Sequence, residues 1–250
     1  GNKEFNKQAK RFIDSIHMSH IVTTDSRRRS EQNQSRVESF NKRVFQNQAN
    51  QDLTNPEFIQ AIKNKEYVFT ETLIPVVSGK EYLNLEKIDG LEPGKEGKPF
   101  YSYNIATKDI IDDAVRVAKF EQRTWQETSI EKIKDIMGNC AKIMEQDRPR
   151  LIAAMMRDAG KTILEADPET SEAIDFARYY ALSAEKINNE SSSLGVVVIA
   201  PPWNFPYAIP MGGIAAALVS GNSVIFKPAP ETVLVAWELV NQLWKAGVPK

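Results

Sequence analysis

The sequence predicts an α/β protein: the start of a doubly wound parallel sheet, preceded by helices and by a basic, helical leader. Three observations predict it. Residues 194–200 (LGVVVIA) and 223–226 (SVIF) are continuous apolar runs of strand length, the pattern of strands covered on both faces. Each is followed by a loop and a helical segment, 207–220 and 231–246, closed by Gly221 and Gly247. This β-loop-α-β-loop-α order makes a parallel sheet with right-handed crossovers. Only these two strands of the kind are present, so the sheet is expected to have open edges.

The elements follow in order. Residues 1–65 carry 12 Lys and Arg against 7 Asp and Glu, a local charge of 12 − 7 = +5, and form a basic leader or linker. Phe5, Phe12 and Ile16 sit at roughly helical spacing, which predicts short amphipathic helices. The run Ser26-Arg27-Arg28-Arg29-Ser30 lacks interleaved aromatics and reads as a solvated face, and His17 and His20 read as surface residues. The second region, 66–250, opens on the β-prone runs 67–70 and 73–77, which the turn signal Ser78-Gly79-Lys80 brings to an end. Residues 89–99 read as turn and loop from their Gly and Pro density, and 100–105 as a strand. Thr107 and Ser129 start two helices, and Pro149 opens a third that Gly160 closes. A fourth begins near Pro168 and carries Ile174, Phe176, Ala177, Tyr180 and Ala181.

Composition narrows the function. With 32 Lys and Arg against 33 Asp and Glu and 42% hydrophobic residues, the chain is neither a disordered polymer nor a polybasic nucleic-acid binder. Its one Cys cannot form an internal disulfide, which fits a reducing, cytoplasmic setting. No run reaches the ~20 apolar residues of a membrane span, and the opening GNKEFNKQAK lacks the apolar core of a signal peptide. No metal site is expected.

Ligands of a doubly wound sheet gather at the carboxyl ends of its strands. The first strand exit holds Trp203-Asn204 between Pro202 and Pro206, where the Asn204 side-chain N–H could serve a developing oxyanion. The second holds Lys227, whose three donors suit sugar hydroxyls or a phosphate. Taken singly, Asn204 also reads as a turn residue and Lys227 as a solvated charge.

Joined in order and spacing, Gly195-Val-Val-Val-Ile-Ala-Pro-Pro-Trp-Asn-Phe-Pro206, Ile209-Pro210, Ala215-Ala216-Ala217-Leu218, Gly221-Asn222-Ser223-Val224 and Lys227-Pro228-Ala229 resemble the NAD(P)-dependent aldehyde dehydrogenase superfamily, from about residue 73 to residue 250. Arg157-Asp158-Ala159-Gly160-Lys161 and the stretch Glu172 to Ala181 look most like its 1-pyrroline-5-carboxylate (glutamate semialdehyde) dehydrogenase branch, including the dehydrogenase half of proline utilization A proteins. Residues 45–56 are similar to the linker that follows a proline dehydrogenase domain in such proteins. The resemblance implies a Rossmann-like NAD-binding domain, oxidation of an aldehyde to an acid, and assembly as a homo-oligomer. It assigns Asn204 to the oxyanion, Lys227 to the adenosine ribose, and Ile199, Ala200, Pro202, Trp203, Ala229 and Pro230 to the cofactor groove. Glu172 is assigned to the amino end of the substrate.

Two departures matter. Many members of the family have Glu three residues after the Lys, where it disfavours NADP, whereas this chain has Pro230 there and Glu231 next; NAD is the expected cofactor. The family chemistry also needs a Cys nucleophile, a Glu general base and a Gly-containing turn at the pyrophosphate. All three are expected beyond residue 250, with the isolated chain inactive, because Cys140 lies on the apolar stripe of a helix and reads as a buried hydrophobe. Two alternatives remain at this point: an aldehyde dehydrogenase of another substrate, or a non-catalytic module retaining half of the fold.

Overall fold

A computed structural model describes residues 6, 7, 10, 45–63, 67–190 and 192–250, with the side chains of 188–190 excepted. The expectations for the leader, including His17, His20 and the 26–30 run, lie outside the described residues. The chain divides into two compact units, 1–38 and 39–250, and the second holds all the elements described below.

Its first helix, α1 (Pro56–Ile62), starts where Asn55 Oδ1 accepts the amides of Glu57 and Phe58, with Pro56 needing no donor at the helix start. A small mixed sheet comes next in the order β1-β5-β4, formed by β1 (Thr72–Leu73), β4 (Lys87–Glu92) and β5 (Lys98–Asn104). A separate hairpin pairs β2 (Val76–Val77) with β3 (Lys80–Glu81).

This region departs from expectation in three places. The run 67–70 forms no strand; Arg150 holds it instead, donating to the Val68 carbonyl at 3.2 Å and lying over the Phe69 ring. Pro75 has no amide for a ladder and divides the run 73–77, so that only Leu73 and Val76–Val77 are in strands. Residues 89–92, read as loop, belong to β4. Gly90 is there for close approach: a Cβ on it would lie 2.1 Å from the Tyr101 ring across the ladder.

Four helices then build the core. α2 (Lys108–Trp125) starts after Thr107, whose hydroxyl makes no cap bond. Ser129 does cap α3 (Ile130–Gln146), accepting the Lys132 amide at 3.3 Å. The stripe Ile133, Ile136, Met137, Cys140 and Met144 is buried as its period requires. α4 (Arg148–Asp158) follows with Pro149 in its first turn. α5 (Ile163–Glu190) begins earlier than expected, because the Glu165 carboxylate folds back on the helix start and accepts from both the amide and the hydroxyl of Thr162. Pro168 therefore lies inside the helix.

At the centre of this core, Arg148 and Asp167 are paired at 2.7 Å with both side chains only 2% exposed. Arg148 also donates to Ser171 and to the Asp167 carbonyl. The other Asp167 oxygen accepts the Gln51 amide at 2.8 Å. Asp175 accepts the Gln48 amide and the Asn47 side chain, so residues 47–51 lie as a strap along α5.

The final region matches the expected order. β6 (Val196–Ile199) and β7 (Ser223–Phe226) pair in parallel from Val196↔Ser223 to Ile199↔Phe226. Between them runs α6 (Ala208–Val219), buried on nearly every side. Asn222 ties the unit together: its Oδ1 accepts the amides of Leu194 and Gly195, and its Nδ2 donates to Ala217. After β7, a 3-10 turn (Pro230–Thr232) leads into α7 (Val233–Ala246), which ends on Gly247 at φ 111°. One expectation is corrected. The β6 strand is not covered on both faces, since Val198 is 60% exposed on a sheet of two strands.

Candidate functional site

The parallel register places the carboxyl ends of β6 and β7 side by side, and the Lys227 amide donates to the Ile199 carbonyl at 2.9 Å, joining the two exits. Ala200, Pro202, Trp203 and Asn204 are exposed on the first exit, and Lys227 and Pro230 on the second. Ile199 is half-buried and packs toward α6, where a Cβ on Gly213 would lie 3.0 Å from its Cδ1. Ala229 is buried, and its carbonyl accepts the Thr232 amide as the chain turns toward α7. Seven of the eight predicted strand-exit residues thus line or adjoin one edge, with Ala229 beneath it.

The loop carrying Asn204 is held by a residue that sequence reasoning passes over. Glu169, on α5 and 1% exposed, accepts the amides of Tyr207 at 2.8 Å and Ala208 at 3.1 Å with one oxygen. These are orphan donors of the α6 N-terminus, where a carboxylate is favoured by both hydrogen bonding and the helix dipole. Lys161 donates to the other oxygen, and its ammonium lies 4.2 Å from the centre of the Phe205 ring.

The second exit is anchored in a similar way. Asp158, at the end of α4, accepts the Tyr101 hydroxyl at 2.8 Å and the Val235 amide at 3.0 Å, fixing the start of α7 against β5. Burial pushes its carboxyl up to about 7, against the pull of those hydrogen bonds. No sequence signal separates Glu169 or Asp158 from solvated helical acids, because their partners lie 38 and 77 residues away.

Glu172 lies elsewhere. It lines a groove of about 430 Å³ between α5 and the strap, with Phe45, Asn47, Gln48, Asp175, Phe176 and Tyr179 among the walls. None of the strand-exit residues lines this groove. Partial desolvation, with Glu169 and Asp175 nearby, holds the Glu172 carboxyl above its usual range. Cys140 is wholly buried on α3, and burial pushes its thiol up to about 12. It is protonated at neutral pH and out of reach of a substrate. Among the described residues no His, Cys, Asp and Glu group could hold a metal, and no helix is long and apolar enough to cross a membrane.

The donors of this edge decide what it can hold. An exposed ammonium beside an open apolar loop suits a molecule with hydroxyl groups at one end and a planar ring at the other, as a dinucleotide has. The chemistry of these residues therefore fits a nicotinamide cofactor.

Comparison with known proteins agrees. The model of the aldehyde dehydrogenase family matches residues 82–250. The 1-pyrroline-5-carboxylate dehydrogenase of Geobacillus thermodenitrificans is 32% identical over 212 residues, covering 79% of this chain and 41% of that protein. Proline utilization A from Bdellovibrio bacteriovorus, inactivated by N-propargylglycine, superposes with a TM-score of 0.77 at 29% identity, over 83% of this chain and 24% of that one. A 1-pyrroline-5-carboxylate dehydrogenase from Thermus with bound NAD gives 0.76 at 25% identity, over 82% and 44%. The chain spans about two fifths of the length of the curated relatives it matches.

Proposed function

We propose, since this chain belongs to the aldehyde dehydrogenase family, that it supplies the oxyanion-holding loop and the cofactor shelf of an enzyme oxidising L-glutamate 5-semialdehyde to glutamate with NAD. The observation that carries the reading is the joining of the two strand exits, with Asn204 presented on one and Lys227 on the other. The branch and substrate rest on relatives named 1-pyrroline-5-carboxylate dehydrogenase at 32–34% identity. Likeness to proline utilization A supports a place in proline catabolism and a proline dehydrogenase domain upstream. Work as a homo-oligomer in the cytoplasm belongs to the same proposal.

In this reading, Lys227 holds the ribose hydroxyls, and Ala200, Pro202, Trp203 and Pro230 form the exposed groove around them, with Ile199 and Ala229 supporting it from beneath. NAD bound there supplies the hydride acceptor. Asn204 donates its side-chain N–H to the aldehyde-derived oxygen as that oxygen gains charge, an interaction made most strongly in the transition state. Glu172 lines the separate groove between α5 and the strap, so this reading gives it no contact with a substrate held at Asn204. Cys140 takes no part, so the nucleophile comes from the portion of the relatives' length that this chain does not span.

The test is Asn204→Ala in the full-length enzyme, assayed by NADH formation. Turnover should fall about 10²–10³-fold with the KM for NAD unchanged, as for loss of one oxyanion donor. Unchanged turnover would remove the oxyanion role, and a strong preference for NADP at equal concentrations would overturn the choice of cofactor. Faster turnover of an aldehyde lacking an amino group would overturn the substrate.

A further inference from the structure

We infer that Lys161 and Glu169 form a positioning pair that sets the loop carrying Asn204. The catalytic part of this inference rests on the oxyanion reading above; the structural part does not. The pair grips the loop on the carboxyl side of Asn204 at two points. One Glu169 oxygen takes the amides of Tyr207 and Ala208, and Lys161 takes the other oxygen while its ammonium lies over the Phe205 ring. Three of the four residues after Asn204 are therefore touched by one ion pair, whose side chains are 11% and 0% exposed.

The burial gives the pair its force. The Tyr207 and Ala208 amides lie at the start of α6, where no carbonyl of the helix can reach them. A buried carboxylate is costly unless paired and hydrogen-bonded, and here both oxygens are used. Lys161 also sits within the α4–α5 connection and Glu169 in the second turn of α5, so the loop is registered to the helical core rather than to the open sheet edge. Asn204 itself is exposed, and the backbone on its carboxyl side is the means by which its direction is set.

The experiment reads amide hydrogen exchange in the chain at Tyr207 and Ala208. Lys161→Met with Glu169→Leu removes both charges together and leaves neither buried alone. Exchange at those two amides should quicken about tenfold or more, the loss expected for a charge-assisted hydrogen bond, while Ala215 to Leu218 in the middle of α6 remain as before. Lys161→Arg, which keeps a cation over Phe205, should retain the original protection. Should the double variant not fold, Glu169→Gln keeps the shape and is expected to quicken the same amides about threefold. Unchanged exchange at Tyr207 and Ala208, or a rise spread evenly along α6, overturns the pair. In the full-length enzyme the double variant should lower kcat about tenfold or more with the KM for NAD within about twofold; equal changes in both overturn the catalytic part. If Asn204→Ala leaves turnover intact, the oxyanion reading falls, and the exchange measurement still decides whether the pair holds the loop.

Discussion

Asp158 should give this protein a stability that falls as pH rises from about 4 to about 7. Burial raises its carboxyl from an ordinary 3.8 to about 7. At about 1.4 kcal/mol per unit, that rise of some three units corresponds to a contribution on the order of 4 kcal/mol. Below about pH 4 the carboxyl is protonated in the folded and unfolded chain alike, and the whole contribution is present. Between the two values the unfolded chain releases its proton first, so the folded state binds more protons and loses stability with rising pH. Above about 7 the group is ionised in both states and the loss is complete. The assay is urea unfolding of the wild type and of Asp158→Asn at a series of pH values across this window. Other titrating groups contribute equally to both proteins, so the difference between the two curves isolates Asp158. The wild-type curve should descend relative to the variant by up to about 1.4 kcal/mol per pH unit. Parallel curves would refute the assignment of a raised carboxyl to this position.

Three further outcomes are expected. Arg148→Met leaves the buried Asp167 carboxyl without its partner, and should lower unfolding free energy by about 3–5 kcal/mol; adding Asp167→Asn should recover part of the loss in the same denaturant titration. Gly90→Ala would drive a methyl into the Tyr101 ring and break its bond to Asp158, at a cost of about 1–3 kcal/mol, read as a lower urea midpoint. Cys140 should resist a thiol reagent at pH 8 while the protein is folded and react fully once urea exposes it; rapid labelling of the native chain would contradict its burial.

The carboxyl-terminal region is legible in the sequence because its signals are local and agree with one another. Apolar runs of strand length, Gly221 and Gly247 at helix ends, and Asn204 and Lys227 at strand exits all point to one topology, and the structure has it. The stretch around β4 is misread because Gly is ambiguous. At Gly90 the missing Cβ admits the Tyr101 ring within a strand, whereas the same residue next to Pro93 and Gly94 reads as a turn. The start of α5 is signalled by Thr162 and Glu165, three residues apart, but Pro168 suggests a later opening and masks it. Glu169 and Asp158 carry no such signal. A buried acid and a solvated acid are spelled alike, and only the fold brings each to a helix end.

Asn222 closes its bonds across 27 and 28 residues, whereas Asp167 and Asp175 close theirs to the strap across 116 to 128. Short closures are found by local search and cost less chain entropy. The strand pair that presents Asn204 and Lys227 is therefore suited to form early, and the strap to arrive last. The same asymmetry orders its undoing. A protease acting on the folded protein should cut within residues 45–51 before it reaches the β6–β7 unit, leaving that strand pair standing after the strap along α5 is gone.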